Sequence, residues 1–119
     1  MRYMLLIYGD ENALTPGERD QCYRDSTQLA HQLHVAGQFL ATAPLFPTPM
    51  ATSIQIRGGK RLITDGPFAE TREQLGGFFM IEAGDLDEAI DVASRIPMAS
   101  RGTVEIRPVI ELPGLPEKK

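Results

Sequence analysis

The sequence predicts an α+β protein with one four-stranded sheet, two helices on a single face of it, and a β-hairpin inserted mid-chain. Three observations carry this. Two amphipathic segments with capping signals, at 16–36 and 85–96, alternate with strand-like runs at 2–8, 38–42, 78–81 and 102–109. Residues 3–8 and 78–81 are apolar at every position, as strands covered on both faces are. Two alternating segments flank Gly58-Gly59, the pattern of a hairpin closed by a primed turn.

Taken in order, Tyr3, Leu5 and Ile7 point to one side of the first strand and Met4, Leu6 and Tyr8 to the other. A polar loop follows from Gly9. Thr15-Pro16-Gly17-Glu18 then reads as a helix start, with Thr as N-cap, Pro in the first turn and Glu completing a capping box. The helix is expected to run to Ala36, with Cys22, Ser26, Leu29, Leu33 and Ala36 on one stripe and Gly37 as the left-handed stop. His31 falls nearly opposite that stripe and His34 on its flank, in line with Tyr23, Thr27 and Ala30. Their i, i+3 spacing lacks the companion glutamate of a helical metal motif, so no metal site is expected.

Residues 38–42 read as a short strand. Pro44, Pro47 and Pro49 make 43–49 a rigid extended connector. Residues 52–57 and 60–64 form the hairpin; its Gly-Gly-Lys-Arg stretch joins two strands and so does not cradle phosphate. Asp65-Gly66-Pro67 forces a sharp turn, Phe68 is expected to plug the following loop into the core, and 70–74 is a polar stretch of the kind that carries function. A solvated loop with an internal Glu–Arg pair is the plain alternative for that stretch. After the strand at 78–81, Asp85 caps the second helix with Glu88 in capping-box position, and Leu86, Ala89, Ile90, Ala93 and Ile96 form its stripe. Pro97 stops it. The last strand places Val104 and Ile106 on one face and Glu105 and Arg107 on the other. Residues 1–112 form one domain, and 113–119 read as a frayed tail.

Composition bounds the function. The 119 residues carry 12 Lys+Arg against 16 Asp+Glu, a net charge of −4, which disfavours direct nucleic-acid binding. With one cysteine, Cys22, there is no intrachain disulfide and no thiolate cluster. The apolar run at 3–8 is too short for a signal segment or a membrane span, and a cytoplasmic location is expected.

Setting the hairpin aside leaves the order βαββαβ, the ferredoxin-like split βαβ arrangement. Two helices cover one face of such a sheet, yet two strands are apolar on both. A second copy is the economical cover for the other face, so a homodimer is expected, with Glu105 and Arg107 lining the enclosed space.

The stretch Asp65-Gly66-Pro67-Phe68-Ala69-Glu70-Thr71-Arg72-Glu73-Gln74-Leu75-Gly76-Gly77-Phe78 resembles the signature of the DGPF-type, YCII-related family. The opening 2–7, and Pro97, Ala99 and 102–108, are similar to that family's first and last strands, so the resemblance spans about residues 1–110. Arg72 stands where the family usually has Lys, which keeps charge but changes geometry. The resemblance implies a dimeric α+β barrel. The wider group has been suggested to include enzymes with a His–Asp pair; Asp65 is available here, while neither His31 nor His34 matches the histidine's position. DGPF-type proteins are also often linked to extracytoplasmic-function sigma factors, which implies a regulatory role.

Two functions follow as expectations. In the first, the chain is a cofactor-free enzyme acting on a small molecule. Asp65 and Glu70 would be acid and base, His34 would join from the helix flank, and Arg72, Glu105 and Arg107 would bind the ligand. In the second it is a small-molecule-binding or regulatory module. Each site residue has a plainer alternative: Asp65 capping the turn before Gly66, and Glu105 with Arg107 forming a cross-strand ion pair.

Overall fold

The computed structural model describes residues 1–116 and has an α+β architecture of the ferredoxin-like kind. Strand β1 is Arg2–Gly9, helix α1 Pro16–Val35, β2 Phe39–Pro44, β3 Thr52–Arg57, β4 Lys60–Asp65, β5 Gln74–Glu82, α2 Leu86–Ser94 and β6 Thr103–Pro108. The main sheet runs β2-β5-β1-β6 with every neighbour antiparallel, and β3 pairs only with β4. The two wholly apolar strands are therefore the two central ones. Among the described residues no helix is long and apolar enough to cross a membrane.

The core lies between the helices and one face of the sheet. Tyr3, Leu5, Phe79 and Ile81 from the central strands meet Leu29 and Leu33 of α1 and Ala89, Val92 and Ala93 of α2, with Ile96 just beyond it. Both helix starts are chemically marked. The Thr15 hydroxyl accepts the Glu18 N–H at 3.1 Å and the Glu18 carboxylate accepts the Thr15 N–H at 3.0 Å. The reciprocal box expected at α2 is only half made. Asp85 accepts the Glu88 N–H at 2.9 Å, but the Glu88 carboxylate takes Gly84 N–H and the Gln38 side-chain amide instead.

Several other expectations are corrected. Helix α1 does stop at Gly37, which turns the chain at φ 73°, but its C-cap Ala36 is exposed and does not continue the buried stripe. Leu86 and Ile90 stay exposed, and Val92 is buried in their place. Strand β2 continues to Pro44 at the sheet edge, where a missing N–H is tolerated. It bulges at Leu40, and the connector after it closes in a single 3₁₀ turn at Thr48–Met50. Strand β5 starts at Gln74, not Phe78: Gly76 and Gly77 are strand residues rather than loop residues, and Gly77 lets the β2 backbone come close. A Cβ on Gly77 would lie 2.9 Å from the Ala43 carbonyl oxygen. Phe68 does not plug the core. It is 82% exposed, since Phe79 already fills the space between sheet and helices. The expected tail falls partly outside the described residues.

Among the described residues no helix covers the other face of the sheet. Register places Met4 beside Met80 and Arg107, Leu6 beside Phe78 and Glu105, and Tyr8 beside Thr103. These apolar side chains are half-buried by one another alone.

Candidate functional site

Strand β4 delivers Asp65 to the root of the hairpin, opposite Thr52. Gly66 then turns at φ 112°, a conformation that suits glycine. The turn is tied by backbone and hydroxyl groups: Gly66 N–H donates to Ala51 O at 2.7 Å, and the Ser53 hydroxyl to Gly66 O at 2.8 Å. The Asp65 carboxylate takes no part in this, and among the described residues it accepts no hydrogen bond. The capping alternative for Asp65 is thus replaced by main-chain and Ser53 bonds, which leave the carboxylate open to solvent.

Glu70 and Asp65 line one concavity of about 490 Å³, together with Thr48, Pro67, Thr71 and Gln74. A neighbouring hollow of about 570 Å³ shares Thr48, Pro67, Ala69, Thr71 and Gln74 with it and is walled by Tyr8, Phe46, Met50, Phe68 and Leu75. The two form one site with an acidic half and an apolar half. Phe68, misplaced in the core by sequence, belongs to its apolar wall.

Glu11, which the sequence does not single out, and Gln74 of the polar 70–74 stretch brace this site. The Glu11 carboxylate accepts the Thr48 N–H at 2.7 Å and also the Thr48 hydroxyl. The Gln74 side chain accepts the Glu11 N–H at 3.1 Å and donates to Thr71 O. Loop 10–14, the 3₁₀ turn and the start of β5 are thereby clasped together. Nothing in Asp10-Glu11-Asn12 marks Glu11 beforehand, because its partner lies 37 residues away. Pro47-Thr48-Pro49 at least marks a turn.

The remaining candidates lie apart. His34 sits in the last turn of α1, exposed, at the end of the sheet where Phe39 pairs with Ile81. The acidic concavity is at the Gln74 end of β5, about 23 Å away at roughly 3.3 Å per strand residue. The helix also lies on the opposite face of the sheet from Tyr8. His34 is therefore not brought together with Asp65 and Glu70. Arg72 is exposed and lines neither hollow, and among the described residues it forms no ion pair with Glu70. The charged lining of the concavity is thus acidic. Glu105 and Arg107 do pair, at 3.7 Å, but along one strand and not across two. They stand on the helix-free face near Tyr8, whose hydroxyl is pushed above its ordinary pKa by partial burial and by Glu105, with Arg107 opposing. Among the described residues no three metal-ligating side chains cluster.

Proton donors and acceptors, hydroxyls and an apolar wall are the furniture of a site for a small, partly polar molecule. The YCII-related domain model matches residues 1–113. The chain belongs to the YCII-related family. The match takes in all six strands and both helices. A protein of Rhizobium meliloti (strain 1021), described as uncharacterized, is 38% identical over 114 residues, covering 92% of this chain and 92% of that one. Within this YCII-related chain, the 65–78 segment that carries the resemblance is the segment that builds the acidic half of the site.

Proposed function

We propose that this YCII-related chain is a homodimeric α+β barrel that binds a small molecule in the concavity beside 65–74 and moves a proton on it, using Asp65 and Glu70 and no cofactor. One observation carries the reading: both carboxylates line the same hollow, and that of Asp65 is not spent on the turn. A general base must reach its substrate by a hydrogen bond, which a carboxylate already capping a backbone N–H does poorly. Thr48, Thr71 and Gln74 supply orienting groups, and the Phe46–Phe68–Leu75 wall takes a hydrocarbon portion. An acidic lining favours a neutral or cationic hydroxyl-bearing compound over a bare anion. The dimer is supported by Met4, Leu6, Phe78 and Met80 on the helix-free face, which a twofold-related copy would cover. A reducing, cytoplasmic setting suits a chain with the single thiol of Cys22.

The test is a ligand screen by amide NMR in H₂O, using small hydroxylated amines, amides and carboxylic acids, followed by incubation of each binder with the protein in D₂O. Binders should shift amides of 65–75 and exchange a carbon-bound proton for deuterium. Asp65→Asn should abolish that exchange while leaving thermal stability unchanged, since its carboxylate holds nothing in place. Binding without exchange would refute the proton-transfer role and leave ligand sensing. Ligands that map away from 65–75 would refute the site.

A further inference from the structure

The β3–β4 hairpin is an arm. Among the described residues no other strand or helix packs extensively along it, and the Gly66–Ala51 and Ser53–Gly66 bonds at its root join its own two strands to each other, not the arm to the main sheet. The chain's radius of gyration is 16.1 Å, against about 13.5 Å for a compact domain of this length, as a projecting element requires. Ile54 and Ile63 are directly paired, and Ile56 is two residues along, so all three share one face of the arm. They are 59%, 57% and 58% exposed. A two-stranded hairpin with an uncovered apolar face is marginal in water.

We infer that the occupant of this face is a second copy of the chain: each arm lies along the partner, with Ile54, Ile56 and Ile63 against it. This rests on the dimer proposed above and adds how it is held. Area argues for it. The helix-free sheet face, about four strands by six residues, would bury about 750 Å² in total when two copies stack, short of the roughly 1,200–2,000 Å² of stable interfaces. Two reciprocal arms bring the total to about 1,500 Å². Charge agrees. The arm's tip carries Arg57, Lys60 and Arg61 and no acid, so −4 − 3 leaves −7 on the rest of the chain, a balance that attracts a basic tip from a second copy. The arm's other face carries the half-buried Ser53 and Gln55 with the exposed Leu62 and Thr64, and is the more polar of the two.

Sedimentation equilibrium of the full chain from about 1 to 100 µM, with hydrogen exchange across the same range, tests this. The expected result is a dimer whose affinity falls about 100-fold or more in Ile54→Ser/Ile63→Ser, the scale of losing central apolar anchors. Circular dichroism should be unchanged, and amides of 52–65 should be protected only at the higher concentration. A double variant that dimerises like wild type, while Met80→Lys dissociates, would overturn the arm and keep the sheet dimer. A wild-type monomer at 100 µM would overturn both. Should the double variant misfold, Arg61→Asp reads the same contact: an unchanged dimer affinity would refute it. Protection of the arm by duplex DNA alone, lost in Arg57→Gln/Lys60→Gln, would overturn it in favour of nucleic acid.

Discussion

Replacing Gly77 by Ala adds one methyl group at the place where β5 and β2 come closest. Gly77 is buried on the helix side and pairs with Pro44. The new Cβ would stand 2.9 Å from the Ala43 carbonyl oxygen and 3.2 Å from Pro44 Cα, both main-chain atoms that cannot rotate away. Strand β2 must lift by several tenths of an ångström. It is poorly placed to resist, because Pro44 offers no N–H to the ladder. Overpacking of this kind costs about 1–3 kcal/mol. At about 4 °C per kcal/mol for a domain of this size, the melting temperature should fall by about 4–12 °C. Gly76→Ala is the control. Its nearest neighbour beyond the flanking residues is the Ile7 carbonyl oxygen at 3.9 Å, an ordinary contact, so the change should lie within about 0.5 kcal/mol of wild type. Urea titration of both variants, followed by far-ultraviolet circular dichroism, measures the difference. Equal midpoints for the two would refute the close-approach argument.

Two further predictions concern titration. Glu18 is held below the ordinary glutamate pKa by the Thr15 backbone N–H and then by Arg101. A depressed folded-state value means stability present above the unfolded pKa of about 4.3 and lost as pH falls through the folded one. The urea midpoint should therefore decline below about pH 4, and more shallowly in Glu18→Gln; identical slopes would contradict the assignment. For Tyr8, whose pKa is raised, phenolate absorbance read against Tyr8→Phe should appear above pH 10, the ordinary value. Glu105→Gln should bring it down and Arg107→Gln should push it further up; the reverse order would place the charges wrongly.

Much of the fold was legible because its signals are local. The capping box at Thr15, the paired glycines at 58–59 and the two unbroken apolar strands each require only neighbouring residues, and they predict element, turn and central position. What was not legible depends on contacts distant in sequence. Gly76 and Gly77 look like loop residues until β2 is seen against them. Phe68 looks like a core residue until Phe79 is seen to occupy the core. Of the site, Asp65 and Glu70 were readable as carboxylates flanking a forced turn, and they do line one hollow. His34 was placed by helix-face arithmetic, which gives the angle around α1 but not the end of the sheet it reaches. The Glu11–Thr48 clasp joins two loops whose proximity is a product of the whole fold.

The two borders of the main sheet decide how this chain can meet others. On one side β2 bulges at Leu40 and finishes in Pro44; on the other β6 alternates Glu105 and Arg107 outward and finishes in Pro108. Missing donors, an interrupted ladder and outward charge each spoil a template for an additional strand. Lateral growth into a continuous ribbon, the route to fibrous aggregates, is obstructed at both margins. In the dimer proposed above, stacking on the apolar sheet face would end with one partner, whereas edge-to-edge addition has no natural end.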